Sequence, residues 1–177
     1  MVKGGRPLKV DPRIDRAFID IGHGNNDAVI ALLKELGTDA FDGYKRTALI
    51  NSVIHGNIVI LEWCLENKAD INFKDKNGMT ALHFAAQEGR LDIARILLGK
   101  KAEIDLLDSY GKSPLLTALL NWQGGKNEPM AKFLLDTGAD PYLKNNYGVS
   151  PFDVMGKDLK KIVKNSTPRR HSLNIDR

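Results

Sequence analysis

The sequence predicts an all-α repeat solenoid, a stack of helix-turn-helix units sharing one core, on three observations. A helix-opening tripeptide recurs at a fixed interval: Thr47-Ala48-Leu49, Thr80-Ala81-Leu82 and Ser113-Pro114-Leu115 stand 33 residues apart, and Ser150-Pro151-Phe152 follows after 37. The exits keep the same phase, as Ala69-Asp70-Ile71-Asn72, Ala102-Glu103-Ile104-Asp105 and Ala139-Asp140-Pro141-Tyr142. Between opening and exit lie two apolar stretches parted by a break, clearest in Ala81 to Gln87, Gly89 and Leu91 to Leu98. A unit this short has too little core to stand alone, so neighbouring copies must stack.

Taken in order, residues 1–13 contain Gly4, Gly5, Pro7 and Pro12, which disfavour a regular helix, and read as a basic N-terminal arm. The first unit, 14–41, carries Ile14, Ala17, Phe18 and Ile21 at helical spacing, a break at Gly22 to Asn26, and a second apolar face from Ala28 to Leu36. The second, 42–74, opens with Asp42-Gly43-Tyr44-Lys45-Arg46-Thr47. Lys45 stands where the third unit has Gly78, so a distorted turn is expected there. Its helices run Ala48 to His55 and Asn57 to Leu65. Trp63 reads as core on an apolar helix face, and Cys64, in the column of Leu97 and Leu134, as a small buried hydrophobe.

The third unit, 75–107, is the most regular, with Thr80 placed to cap the exposed N–H groups of its first helix. The fourth, 108–144, has four extra residues, which lengthen its first helix or the loop after it, and Pro129 suits the first turn of a helix running to Leu135. The fifth, 145–155, fades after Met155, with Asp158 to Val163 as a short capping helix. Residues 156–177 form a basic C-terminal tail, expected to be partly disordered.

The Gly78-Met79-Thr80-Ala81-Leu82-His83 turn, the Ala85-Ala86 pair, Gly89, Leu97-Leu98 and the 33-residue period resemble the ankyrin-repeat family over roughly residues 14–155. The resemblance implies an ankyrin-repeat solenoid of about four to five units with a concave binding face. It further implies that the imidazole of His83 ties neighbouring turns together by hydrogen bonds, and that partners dock on turn tips and inner helices.

Net charge is +4, but it is unevenly spread: 1–16 carries +3, 156–177 carries +5, and the body between them −4. The basic ends therefore read as solvated tails rather than a nucleic-acid site. No run of about 18 apolar residues exists and no signal-peptide pattern opens the chain. A single cysteine permits no internal disulfide. The expectation is a soluble cytoplasmic protein, monomeric when unbound and without membrane contact, with an injected effector as the alternative.

Chemistry requires a nucleophile, an acid/base pair or several metal ligands held together. No such constellation is visible. The histidines (23, 55, 83, 171) are far apart in phase, the carboxylates recur at turn positions, and Gly124-Gly125 lacks the Lys-Ser/Thr of a phosphate loop. The reading is non-catalytic, with no cofactor, metal or small-molecule substrate. Arg169-Arg170-His171-Ser172 resembles a basophilic-kinase site, a four-residue pattern that arises readily by accident.

Carrying the family's contact positions across residue by residue puts Tyr44, Asn77, Tyr110 and Tyr147 in one row, three before each opening Thr or Ser. Tyrosine gains from burial yet keeps a hydroxyl, which suits a binding hot spot. The alternative is that these rings pack on neighbouring turns. A second row comprises Arg46, Met79, Lys112 and Val149. The inner-helix ends, Ile54-His55, Gln87-Glu88 and Leu120-Asn121, add Ile54, Gln87 and Leu120, and Trp122 in the insertion reads equally as neutral loop or as presented to a partner. The function expected is a protein-binding module, as adaptor or regulator. The alternative is an inhibitor of a partner enzyme, such as a bacterial immunity protein, whose acidic body complements a basic toxin.

Overall fold

The computed structural model describes residues 11–120 and 127–166. Ten helices follow in pairs: α1 (Pro12–His23) and α2 (Asn26–Leu36); α3 (Ala48–His55) and α4 (Ile58–Glu66); α5 (Ala81–Glu88) and α6 (Leu91–Gly99); α7 (Pro114–Leu120) and α8 (Glu128–Asp136); α9 (Pro151–Val154) and α10 (Lys157–Ser166). The first begins at Pro12, ahead of the arm boundary expected at residue 13. Asp11 is its cap and accepts the Arg13 N–H, and a proline in the first helical turn gives up an N–H that has no partner anyway.

Two layers result. The inner helices α1, α3, α5, α7 and α9 pack each on the next, while the outer helices α2, α4, α6 and α8 pack mainly on their own unit's inner helix. Small residues make the inner layer tight: Ala48, Ala81, Ala85, Ala86 and Ala118 are buried where one inner helix meets the next. In repeat stacks of this kind a tightly packed inner layer makes the shorter arc, and the extended binding surface lies on that side. Larger side chains fill the space between layers, including Leu49, Ile60, Leu61, Leu82, Ile93, Leu97, Leu115, Met130 and Leu134. Cys64 lies among them, its thiol pushed up to about 12 by burial, and Trp63 packs partly buried against the same core.

Polar residues join the units. The residue before each of α4, α6 and α8 reaches back to the C-terminal carbonyls of the preceding unit's inner helix. Asn57 donates to Ile21 O (2.9 Å), Arg90 Nη2 to Ile54 O (2.7 Å) and Asn127 to Gln87 O (3.3 Å). These satisfy carbonyls that a helix end leaves without partners. Asn127 keeps this role despite the insertion, so the extra residues are absorbed before it, within 121–126. That segment and Trp122 lie outside the described residues, as do residues 1–10 and the Arg169-Arg170-His171-Ser172 pattern.

The expected turn distortion at Lys45 does not occur. Lys45 takes the left-handed conformation (φ 58°) that Gly78 (75°), Gly111 (73°) and Gly148 (76°) occupy. The turn closes through Lys45 N to Asp42 O at 2.8 Å, matching 3.0 Å at Gly78 and 2.9 Å at Gly111. The hydrogen bonds around the turn outweigh the strain of a side chain there, about 1–2 kcal/mol. Among the described residues no helix is long and apolar enough to cross a membrane.

Candidate functional site

The turns that precede each inner helix are built by one device. Asp42 Oδ1 accepts the N–H groups of Tyr44 and Arg46, both at 2.8 Å, and Asp75, Asp108 and Asn145 do the same for the residues two and four positions on. This fixes the turn and leaves the residue two positions on, Tyr44, Asn77, Tyr110 or Tyr147, at its tip. Successive tips are then joined through the backbone: Lys76 N to Tyr44 O (3.1 Å), Ser109 N to Asn77 O (2.8 Å) and Asn146 N to Tyr110 O (3.0 Å). A Cβ on Gly78 would sit 2.8 Å from Ser109 N and one on Gly111 2.8 Å from Asn146 N, so glycine is required there by close approach as well as by conformation.

The ladder aligns the tip residues. Tyr44 is 67% exposed, Tyr110 51% and Tyr147 75%, with Asn77 exposed between them. In the second row, Arg46 and Lys112 are half-buried and project beside the tyrosines. Met79 is corrected: it is only 9% exposed and belongs to the core, because its apolar, flexible side chain gains from burial at a turn position where Arg46 and Lys112, held by the same backbone bonds, carry charges that stay half-buried. At the inner-helix ends, Ile54 packs partly buried on the core, Gln87 is half-buried beside Glu88, and Leu120 is exposed.

Arg46 is the most elaborated of these side chains. Its guanidinium carbon lies 5.2 Å from the Tyr44 ring centroid and 5.0 Å from that of Phe84, and Nε is 3.7 Å from buried Asp75. Lys112 repeats the pattern, with Nζ 5.4 Å from the Tyr110 centroid and 3.4 Å from Asp108. Behind the tips, His83 joins two units. Its Nδ1 accepts the Thr80 N–H at 3.2 Å and the Thr80 hydroxyl at 2.9 Å, and Nε2 donates to Lys112 O at 2.9 Å. The ring is thus neutral, and burial holds its pKa below the ordinary 6.5.

At the N-terminal end the inner face deepens into an open groove of about 840 Å³ between α1, α3 and the second unit's turn. Tyr44 and Arg46 line it, together with residues that sequence reasoning missed: Asp15, Ile19, His23, Asn51 and Lys76. Ile19 carried a readable signal, since it is an isoleucine off the Ile14, Ala17, Phe18, Ile21 stripe, and it is 60% exposed. His55, noted only as a helix end, lies against Gly22, where a Cβ would come within 2.9 Å of Nδ1. Among the described residues no group of three or more His, Cys, Asp or Glu side chains is arranged to hold a metal.

Comparison with known proteins agrees with this architecture. A family model of ankyrin repeats, three copies, matches residues 18–108 and, in overlap, 60–145. Ankyrin repeat and KH domain-containing protein mask-1 of Caenorhabditis elegans is 30% identical over 130 residues, 73% of this chain and 5% of that protein. Serine/threonine-protein kinase 12 of Arabidopsis thaliana is 29% identical over 119 residues, 62% of this chain and 25% of the kinase. Putative ankyrin repeat protein YahD of Escherichia coli (strain K12) is 30% identical over 105 residues, 58% of this chain and 52% of the relative. The chain thus spans from a twentieth to about half of these relatives. With the repeat phase, the two-layer stack and the family match in agreement, the chain belongs to the ankyrin-repeat family, whose repeats are protein–protein interaction modules.

Proposed function

We propose that the chain is a non-catalytic binding module, an adaptor or regulator that is monomeric when unbound and holds one partner protein on its concave face. The observation that carries this is the tip row. Tyr44, Asn77, Tyr110 and Tyr147 occupy one column of successive turns, joined by a backbone ladder, and three of them leave a large aromatic ring in solvent. Keeping such rings exposed forgoes burial that their neighbours could have supplied, whereas a partner covering them gains from area that is already rigid. Arg46 and Lys112 in the turns, and Gln87 and Leu120 at the inner-helix ends, extend the contact surface. Trp122, outside the described residues, is proposed as part of the same contact set.

The test is an affinity capture from native lysate, the whole chain as bait beside its Tyr44→Ala/Tyr110→Ala/Tyr147→Ala variant, with bound proteins identified by mass spectrometry. The expected result is one stoichiometric protein lost with the variant. The three rings are exposed, so the variant keeps its fold, checked by circular dichroism. A partner held equally by both baits moves the site off the tips and overturns the reading. If the captured protein is an enzyme whose turnover falls on titration with the chain, the module acts as an inhibitor.

A further inference from the structure

The body of this chain is acidic in sequence, yet the four turn tips are not. The first three tips carry Lys45 and Arg46, Lys76, and Lys112, the fourth (145–149) carries no charge, and the only carboxylates in these turns are Asp42, Asp75 and Asp108. Those three are buried, and one oxygen of each is spent on two backbone N–H groups. Charge has been separated: anions inward to build the turns, cations outward beside the tyrosines.

Two of the cations are also held in place. Arg46 is stacked between Tyr44 and Phe84 and tethered by Asp75, with its Nε buried and lacking a hydrogen-bond partner. Lys112 is tethered by Asp108 over Tyr110. A guanidinium fixed between rings has lost its rotational freedom in advance, and its fork geometry matches a carboxylate. Lys76 is exposed and lines the same groove as Tyr44 and Arg46. Asp15 at the groove edge faces the turn, accepting the Gly43 N–H at 3.2 Å.

Resting on the binding-face reading above, we propose that the partner segment is an acidic peptide strand. Its carboxylates pair with Arg46, Lys76 and Lys112, and its apolar side chains lie against Tyr44, Tyr110 and Tyr147. A basic partner, the complement of the chain's acidic body as a whole, meets the wrong sign at the tips. Opposed charge across an interface sets which partners dock and how fast.

The test uses fluorescence anisotropy with the full chain and three fluorescein-labelled 14-residue peptides of one design. Glu occupies every third position among Gly, Ser, Leu and Tyr, and Gln or Lys replaces Glu in the other two. A 14-nucleotide oligothymidylate is the fourth probe. At about 50 mM salt the Glu peptide is expected to bind at least about tenfold tighter than the Gln peptide, an advantage that shrinks at about 500 mM as charge is screened. Arg46→Gln/Lys112→Gln removes most of that advantage, while Lys34→Ser/Lys132→Ser, which removes equal charge from exposed positions on outer helices α2 and α8, leaves it. If the first variant does not fold, Lys76→Glu, outside the buried ion pairs, carries the test. Equal affinity for the Glu and Gln peptides, preference for the Lys peptide, no detectable binding, or an oligonucleotide bound as tightly as the Glu peptide overturns the proposal. Should that happen while lysate capture still depends on the three tyrosines, the binding face stands and only its acidic specificity falls.

Discussion

At the residue scale, the neutral imidazole of His83 is the clearest single determinant. It spends Nδ1 on Thr80 and Nε2 on Lys112 O, so one ring caps a helix and ties the third unit to the fourth. The corresponding position is Ile50 in the second unit and Leu116 in the fourth, where the opening hydroxyl caps the helix alone, and Asp153 in the fifth, where a carboxylate accepts from Ser150 N and Oγ. Only the imidazole spans two units, and its placement has a consequence for pH. Burial depresses the folded-state pKa of His83 below the free value of 6.5, so the unfolded chain takes up the proton first. Its share of stability is therefore complete above pH 6.5 and is lost as pH falls below that value toward the folded pKa. Urea unfolding at pH 7.5 and 5.5 should show the wild type losing stability between the two. A His83→Asn variant, weaker by about 1–2 kcal/mol at pH 7.5 through its lost hydrogen bonds, should lose less on acidification. A gap that stays constant between the two pH values would mean that the ring is not titrating against the fold.

At the element scale, the stack is held by helix ends as much as by helix faces. Arg90 precedes α6, yet its side chain reaches the last turn of α3, bonds Ile54 O at 2.7 Å, and packs so closely on Gly56 that a Cβ there would meet Nη1. Arg90→Ala leaves a half-buried helix carbonyl without its donor and should destabilise the chain by about 1–3 kcal/mol. The expected signature in urea is a lower midpoint with an unchanged slope, and an unchanged midpoint would show that water replaces the guanidinium at no cost. The sequence displayed the elements through their period: the pairs of helices in units two to four, the extra residues in unit four and the buried Cys64 all follow from phase. It displayed less of what depends on contacts across units. The roles of Asn57, Arg90 and Asn127 share a position but not a residue type, so no motif marks them. Met79 looked like surface because its column is mixed, and the turn's hydrogen bonds are the same as at Arg46 and Lys112, so only its burial against the core reveals that it faces inward. The groove at Asp15, Ile19 and His23 was hidden because the first unit departs most from the repeat pattern and offered no column to compare.

At the scale of the whole molecule, a stack whose units touch only their neighbours fails from its ends, because each terminal unit has one interface where inner units have two. The C-terminal end tests this. Its inner helix α9 has four residues, Pro151–Val154, and cannot cover the fourth unit unaided. The outer helix α10 completes it by burying Leu159 and Val163 beside Met155, while Lys157, Lys161 and Lys164 face solvent. An apolar face inward and a lysine face outward is what a cap requires. Replacing the inward face, Leu159→Asp/Val163→Asp, places two carboxylates on a face that packs into the apolar core, so the cap should detach rather than adapt. Hydrogen exchange then distinguishes nearest-neighbour coupling from a single cooperative core. Under coupling, amide protection collapses in α9 and α10, falls by a smaller factor in α7 and α8, and is nearly unchanged in α3 and α4. The inner-layer contacts predict this gradient, since α9 packs on α7 and is separated from α3 by two further inner helices. Equal loss of protection in every helix would show that the units unfold together and that the stack is one indivisible body. Retention of the tip row by the capless variant, measured as unchanged dependence of partner capture on Tyr44 and Tyr110, would then place the cap's role in stability alone, because neither ring touches α9 or α10 through the contacts that fix it.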